Sequence, residues 1–400
     1  MRSVVYDIDA VRSHFPALAT GTAFFDGPGG TQTPSTVAAA MSEAMLAGLS
    51  NRDRGTATGR RADDIVTGAR EAMADLVGAS ADSVIFGRSM TTLTYDLART
   101  LSADWGPHDE VVVTSMDHDA NVRPWVQAAQ AVGATIKWAH FDPATSELPI
   151  EAVTAAMSPR TRLVALTGAS NVLGTVPDVA AIAAAARERS ALVFLDAVHL
   201  APHQSIDMDT LGVDFIACSP YKFFGPHCGV LVGTARVLSS LHPAKLLPSP
   251  SRVPERFELG TLPYETLAGV TAAVDFIADL ADVATGPRRE RLIRAYAQVQ
   301  AHEDGLRQRL EHGLDRLPGL VRYSRATDRT PTVYFRLSDV PSAEVSRRCA
   351  AAGVNAPASN FYAIEASRRL GLGDEGAVRA GIAPYTNAED VDRLVAAAQG

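Results

Sequence analysis

The segment DFIACSPYKFFGPHCGVLVG, residues 214–233, decides the fold prediction for this chain. Two apolar runs, DFIAC (214–218) and GVLVG (229–233), are typical of buried strands. The loop between them contains glycine and carries a single lysine, Lys222, with aromatic residues on both sides. Lys222 is either an ordinary surface lysine at a strand end or a lysine whose amine reacts with a ligand. The rest of the chain decides between these two interpretations.

Short apolar runs and amphipathic helical stretches alternate before this segment. The seven predicted strands cover residues 83–86, 110–114, 135–140, 162–167, 191–196, 214–218 and 229–233. Several of these runs are continuously apolar, which indicates a mostly parallel sheet that is buried on both faces. The alternation predicts an α/β fold with right-handed crossovers and ligand sites at the carboxyl ends of the strands.

The sequence pattern changes after about residue 262. Long helical patterns at 263–284 and 287–316 are followed by short strands and helices up to the last residue. We therefore predict a large domain over 21–262 and a smaller α+β domain formed by 1–20 and 263–400. A chain of 400 residues is long enough for both.

Composition and charge exclude several classes of function. The net charge is 37 − 45 = −8, and no dense Lys/Arg stripe is present, which argues against a nucleic-acid partner. The chain shows no signal-peptide pattern and no apolar run of membrane-spanning length, so we predict a cytoplasmic protein without a membrane partner. The three cysteines show no CxxC pair and no zinc spacing, and no metal site is predicted.

Two predicted strand ends carry side chains that could take part in catalysis. Asp196 ends the strand ALVFLD (191–196), and Lys222 follows the strand DFIAC. A carboxylate and a lysine in this arrangement can serve pyridoxal phosphate, because the carboxylate keeps the pyridine nitrogen protonated and the lysine forms a Schiff base. Taken alone, Asp196 could equally be a helix cap or an ion-pair partner.

Other strand-to-helix junctions add possible ligands. GRSMTTLT (87–94) opens a helix whose free backbone N–H groups can hold an anion, although a simple cap at Ser89 or Thr91 explains it as well. SMDHDANVRPW (115–125) presents His118, which is either a loop histidine or a group that stacks on a flat cofactor and shuttles protons. The neighbouring Asp119 could raise its basicity. FFDGPGGTQTP (24–34) lacks GxGxxG spacing, so a tight turn or a substrate-facing loop is expected.

The segments MDHDAN, TGASNVLGT, DAVH, SPYKFFGP and AVRAGIAPYTNAEDVDRLV resemble the class V aminotransferase group of fold-type I pyridoxal-phosphate enzymes. The likeness is greatest to the cysteine desulfurase-like proteins and runs from about residue 20 to the C-terminus. It implies pyridoxal 5'-phosphate as cofactor, with Lys222 as the covalent anchor, Asp196 as the partner of the pyridine nitrogen, and His118 stacked on the ring and relaying protons.

The resemblance also implies the remaining ligands and a homodimer with its active sites at the subunit interface. Asn171 and His199 would lie near the phenolic oxygen of the cofactor, and Thr261 would reach its phosphate from the second subunit. Arg379 would grip the α-carboxylate of an amino-acid substrate through a bidentate fork. The other phosphate ligands implied are Met90, Thr91, Ser219 and Tyr221. The other predicted substrate contacts are Arg54, which would reach the neighbouring subunit's site, Asn360 and Tyr362.

The chain departs from cysteine desulfurases at their nucleophile. No cysteine stands between Gly353 and Arg379, so a protein persulfide cannot form there by the usual route. Cys349 has a helical pattern, and Cys228 is either a buried small hydrophobe or a residue with a direct sulfur role. His199 occupies a position where many relatives have glutamine.

These features predict a PLP-dependent lyase or transferase that acts on an α-amino acid. The first hypothesis is β-elimination with C–S bond cleavage of cysteine or an S-substituted cysteine. Transamination is the alternative, followed by persulfide-forming desulfuration and by a non-catalytic scaffold with this fold.

Overall fold

The structure is a computed structural model that describes residues 6–281 and 285–400. Residues 1–5 of the predicted segment 1–20, and 282–284 of the predicted helix 263–284, lie outside the described residues. The strands are β1 (Ala23–Phe24), β2 (Val84–Gly87), β3 (Glu110–Thr114), β4 (Thr135–Ala139), β5 (Thr161–Thr167), β6 (Leu192–Asp196), β7 (Phe215–Cys218), β8 (Gly229–Gly233), β9 (Leu320–Arg322), β10 (Thr332–Leu337), β11 (Val354–Asn355), β12 (Ala358–Ser359) and β13 (Ala377–Gly381). The α-helices are α1 (Ile8–Ser13), α2 (Ser35–Leu46), α3 (Ala57–Val77), α4 (Met90–Ser102), α5 (Arg123–Val132), α6 (Ile150–Ala156), α7 (Val179–Arg187), α8 (Met208–Leu211), α9 (Ala235–Ser240), α10 (Tyr264–Asp279), α11 (Arg288–Leu314), α12 (Ser342–Ala351), α13 (Ile364–Arg369) and α14 (Ala388–Gln399).

Strands β2 to β8 form one seven-stranded sheet with the order β2-β8-β7-β6-β5-β3-β4. Strand β8 is antiparallel to both of its neighbours, and the other pairs are parallel. The predicted mostly parallel sheet of an α/β fold is therefore confirmed, with each predicted strand end within one residue of the observed one. Because β2 and β7 both run against β8, the carboxyl ends of β2, β7, β6, β5 and β3 share one edge of the sheet.

The large sheet is buried on both faces, as its continuous apolar runs predict. Within β3, Val112 packs into one hydrophobic core, whereas Val111 and Val113 pack into another on the opposite face. Helices α4 and α5 cover the second face through residues such as Leu97 and Trp125. Period-two alternation of the strand thus places every apolar residue of β3 in a core.

A second, four-stranded antiparallel sheet has the order β12-β13-β10-β9. Its core includes Phe335 of β10, Val378 of β13 and Leu394 of α14. Helix α10, which falls in the predicted segment 263–400, packs on α2 and α3 instead of on this sheet. The division into 21–262 against 1–20 with 263–400 stays a prediction.

The longest helices of the chain are charged along their length. Helix α3 has 21 residues and α11 has 27, and both carry several arginine and acidic residues. Across the described ranges, 6–281 and 285–400, no helix is both long enough and apolar enough to span a bilayer.

Candidate active site

The shared carboxyl edge of the large sheet positions the central predicted residues. Asp196 is the last residue of β6, and Lys222 ends a short 3-10 turn, Pro220–Lys222, that follows β7. Ser219 lies between β7 and this turn and is buried. Because β6 and β7 are hydrogen-bonded neighbours, Asp196 and Lys222 lie next to each other at this edge of the sheet.

Lys222 is held by the backbone of a distant loop. Its Nζ donates a hydrogen bond to the carbonyl oxygen of Pro28 at 2.6 Å and lies 4.7 Å from the centre of the Tyr221 ring. Burial, helped by the positive charge of Arg379, lowers the pKa of Lys222 to about 7, while Asp196 opposes the change. A lysine with this pKa is substantially neutral near pH 7, so its amine can act as a nucleophile and a base.

Asp196 is a buried carboxyl group, and few neighbouring groups offset the loss of its hydration. Burial raises its pKa to about 6, against the lowering effects of a hydrogen bond from the Val198 backbone N–H at 2.9 Å and of the Lys222 charge. The group is therefore mostly ionised above neutral pH. An ionised carboxylate in a site of low dielectric is suited to hold a protonated ring nitrogen.

His118 is a neutral imidazole in this structure. Its Nδ1 accepts a hydrogen bond from the Ala120 backbone N–H at 3.0 Å, which leaves the ring proton on Nε2. As expected, the negative charge of Asp119 raises the pKa of His118, but it is the smallest of the four effects on that group. Burial and the charges of Lys222 and Arg379 lower the pKa of His118 to about 4 and outweigh the opposing effect of Asp119, whose carboxylate pairs with Arg123 at 2.9 Å.

Arg379 reaches the site from the second sheet, where it lies in the middle of β13. Its Nη1 donates to the Asn171 carbonyl oxygen at 3.0 Å, and its guanidinium carbon lies 3.7 Å from the centre of the Phe361 ring. The side chain is buried, which lowers its pKa to about 9. Within the described residues, Arg379 forms no salt bridge and its Nε has no hydrogen-bond partner. A buried cation in this state favours an anionic ligand.

The start of α4 lies beside strand β8 and carries free backbone N–H groups that are suited to an anion, and we call it the anion seat. Ser89 caps the helix by accepting a hydrogen bond from the Thr92 backbone N–H at 3.1 Å. Met90 and Thr91 open the helix, where backbone N–H groups have no intrahelical acceptor. Gly229, which pairs with Gly87 across β2 and β8, permits the close approach, since a Cβ there would lie 2.1 Å from the Ser89 carbonyl carbon.

Asn171 is half-buried, and His199 is buried. The Asn171 Nδ2 donates to the Phe361 carbonyl oxygen at 3.0 Å, and its buried Oδ1 has no hydrogen-bond partner within the described part of the chain. The Nε2 of His199 lies 2.9 Å from the Thr332 hydroxyl and 3.1 Å from that of Thr330. The predicted contacts of Asn171 and His199 with a cofactor stay predictions.

The predicted substrate contacts divide into two groups. Tyr362 is exposed, but its ring stacks on His118 with the ring centres 5.4 Å apart. Asn360 shapes the same loop, since its Nδ2 donates to the Asp374 carbonyl oxygen and its Oδ1 accepts from the Tyr362 backbone N–H. By contrast, the exposed Arg54 pairs with Asp63 at 2.8 Å. Thr261 also lies exposed on the surface, away from these contacts.

Two contacts with the site were not predicted. Pro28 acts through its backbone carbonyl, which has no side-chain signature in a sequence. Phe361 stands between Asn360 and Tyr362, two predicted substrate contacts, but an aromatic residue in a loop gives no signal that separates a cation–π partner from a core residue. Both Phe361 and Tyr362 have left-handed backbone conformations, with φ of 52° and 60°, which are unusual for bulky residues and typical of functional loops.

The three cysteines of the chain are all buried. Burial raises the pKa of the Cys228 thiol to about 12 and that of Cys349 to about 11, and it also raises the pKa of Cys218. Cys228 packs in the same hydrophobic core as Cys218. The geometry therefore favours the interpretation of Cys228 as a small hydrophobic residue, because the reactive form of cysteine is the exposed thiolate.

The side chains assembled here fit pyridoxal phosphate part by part. Lys222 offers an amine for the aldehyde, Asp196 a carboxylate for the ring nitrogen, and the start of α4 a seat for the phosphate. Arg379 and Asn171 contribute the buried polar atoms, Nε and Oδ1, that have no partner in the described part of the chain. Fold and site together define a pyridoxal-phosphate-dependent enzyme of fold type I.

The chain belongs to the class-V aminotransferase family, whose model, described as Aminotransferase class-V, matches residues 23–394. It is 33% identical to the protein MT3887 of Mycobacterium tuberculosis over 98% of this chain and 99% of that protein. It is 31% identical to the aminotransferase-like protein FGM3 of Gibberella zeae, with 99% of each chain covered. The crystal structure of the cysteine desulfurase CsdA of Escherichia coli is similar with a TM-score of 0.87 and 26% identity, and 98% of each chain is covered.

Proposed function

We propose that this enzyme cleaves the C–S bond of cysteine or of an S-substituted cysteine by β-elimination. The observation that carries the proposal is the burial of all three thiols, each with a raised pKa. A persulfide-forming desulfurase needs an accessible thiolate that attacks the substrate sulfur. Without one, the sulfur leaves the substrate as sulfide or a thiol instead of passing to a protein cysteine.

In this proposal Arg379 binds the α-carboxylate of the substrate. A buried guanidinium with a free Nε can form two parallel hydrogen bonds to a carboxylate. Phe361 covers one face of the guanidinium at 3.7 Å and limits its approach to other groups. Gly29 lies close to the guanidinium, since a Cβ at that position would be in van der Waals contact with Nη2 at 3.5 Å.

Lys222 moves the proton. With a pKa of about 7, its neutral amine takes the proton from Cα of the bound amino acid, and the bond between Cβ and sulfur then breaks. Pyridoxal phosphate, when bound, supplies the electron sink for the charge that develops at Cα. His118 remains neutral over the physiological range because its pKa is about 4, so its part is to stack and orient. Hydrolysis of the product gives pyruvate and ammonia.

A homodimer completes the proposal. Leu247 is 97% exposed, and Leu259, two residues before the exposed Thr261, is 63% exposed. A subunit interface that covers these two leucines would remove their apolar side chains from water. In this arrangement Thr261 and Arg54 contact the neighbouring subunit's site, which accounts for their surface positions.

The test is product analysis with cysteine, S-methylcysteine and alanine, with the absorption spectrum followed in parallel. Release of pyruvate together with sulfide or methanethiol supports β-elimination, and the Lys222→Ala variant should release neither. A variant with all three cysteines replaced by alanine should keep the activity. Loss of activity in this folded variant would instead support a desulfurase mechanism. Conversion of the cofactor to its amine form by alanine would instead indicate transamination. That is the second candidate, and the name of the Gibberella zeae relative favours it.

A further inference from the structure

We propose that His203 and Glu303 form a proton path that connects Lys222 with solvent on the side away from the substrate. The inference rests on the proposed role of Lys222 as the residue that takes and returns a proton. It concerns two buried residues, one in the loop after β6 and one on α11, that the proposed reaction does not otherwise use.

A small cavity lies behind Lys222. Lys222, His203 and Pro28 line it, together with His199, and Pro28 is the residue whose carbonyl holds the Lys222 amine. Its volume is about 10 Å³, which is the space that one water molecule requires. A water there would lie between Lys222 and His203, two polar residues of the lining, and hydrogen bonds to polar partners are what stabilise a buried water.

His203 separates this cavity from a second pocket. Its Nδ1 lies 2.9 Å from Oε2 of Glu303, and both side chains are buried. With Nδ1 engaged, Nε2 is the ring nitrogen that remains for exchange with the inner cavity. His203 also lines the outer pocket of about 120 Å³, and so does Glu303. One imidazole thus borders both spaces.

Glu303 supplies the outer end of the path. Its second oxygen, Oε1, is buried and has no hydrogen-bond partner among the described residues. An unpartnered buried carboxylate oxygen is costly and calls for an explanation. Water in the outer pocket that bonds to Oε1 would satisfy it and would connect the carboxyl group with solvent.

The transfer changes only N–H and O–H bonds. The protonated amine of Lys222 gives a proton to the cavity water, which passes one to Nε2 of His203. The imidazolium then gives its Nδ1 proton to Oε2 of Glu303, and the carboxyl group releases it to water of the outer pocket. The reverse sequence returns a proton and restores the original tautomer of His203. No oxidant or reductant takes part.

Other charged groups surround the path. The ring of His199 meets that of His203 edge-on, with the ring centres 5.2 Å apart, and its own Nε2 is held by two threonine hydroxyls. Besides Glu303 itself, the charged residues of the outer pocket are Asp304, Arg307, Asp328 and Arg329. Because these four include two acids and two bases, the mouth of the pocket carries no strong net charge that would block proton exchange.

The test is a stopped-flow pH jump on the holoenzyme that follows the visible band of the bound cofactor. Propionate is added to fill the Arg379 site and to reduce exchange through the substrate cleft. His203→Gln and Glu303→Gln should both slow the relaxation at least about tenfold. Added imidazole should restore the rate of the His203→Gln variant, which a merely structural role would not allow. Glu303→Gln keeps a hydrogen-bonding group on Nδ1 and serves if His203→Gln does not fold.

The matched control is His302→Gln, because His302 is a half-buried histidine next to Glu303 that bonds to the Thr386 carbonyl oxygen instead. It should relax at the wild-type rate. If both path variants relax at that rate as well, the proton path is refuted while the proposed function stands. If the wild type shows no visible band even with added pyridoxal phosphate, the proposed function fails, and this inference fails with it.

Discussion

Replacing Arg379 by glutamine tests the central feature of the substrate site. The guanidinium is only 3% exposed and forms no salt bridge within the described residues, so a bound carboxylate is its natural counter-ion. Breaking a buried charge pair by removing one partner costs about 3–5 kcal/mol. At about 1.4 kcal/mol per tenfold change, Arg379→Gln should weaken amino-acid binding by two to three and a half powers of ten.

The assay is a titration of the cofactor band with cysteine and with cysteamine, which lacks the carboxylate. The variant should lose affinity for cysteine by the stated factor and should bind cysteamine about as well as the wild type does. Unfolding temperatures of both proteins verify that the variant is folded. An equal loss for both ligands would refute the carboxylate assignment, because the damage would then lie in the cofactor site and not in the recognition of the substrate.

Three further predictions follow from the geometry. Because the neutral amine is the reactive form, the rate at which the cofactor binds to the apoenzyme should increase as the pH rises through about 7, the pKa of Lys222. A midpoint of this pH–rate profile near the pKa of free lysine would contradict the argument that burial lowers the pKa. Gly229→Ala should lower the free energy of unfolding by about 1–3 kcal/mol and weaken cofactor binding, since its Cβ would collide with the Ser89 backbone. Denaturant melts measure the first effect and equilibrium dialysis the second. An unchanged dissociation constant for the cofactor would refute the described shape of the anion seat. A thiol-alkylating reagent should leave native activity intact and label all three cysteines only after unfolding, as read by mass spectrometry, whereas rapid labelling of the native protein would show an accessible thiol.

The sheet and its central pair could be predicted because both depend on local patterns. Continuous apolar runs define the strands, and the positions of Asp196 and Lys222 at strand ends follow from the strand boundaries. The contacts of Arg379 with Phe361 and of Lys222 with Pro28 could not be predicted, because each joins segments more than a dozen residues apart through tertiary packing. The net pKa of His118 could not be predicted for the same reason. Asp119 is adjacent in sequence, but burial and two cations from other segments determine the pKa.

The paired glycines at positions 87 and 229 set a rule for constructing chimaeras of this enzyme with its relatives. They face each other across β2 and β8, and the backbone at the start of α4 occupies the space where a side chain at 229 would lie. Exchange of the β2–α4 unit alone would pair one parent's α4 with the other parent's β8. At this contact there is no space for an additional side-chain atom. Crossover points should therefore keep residues 84–102 and 229–233 from the same parent. Libraries that aim to change substrate scope should vary the 27–30 and 359–362 loops and leave this pair fixed.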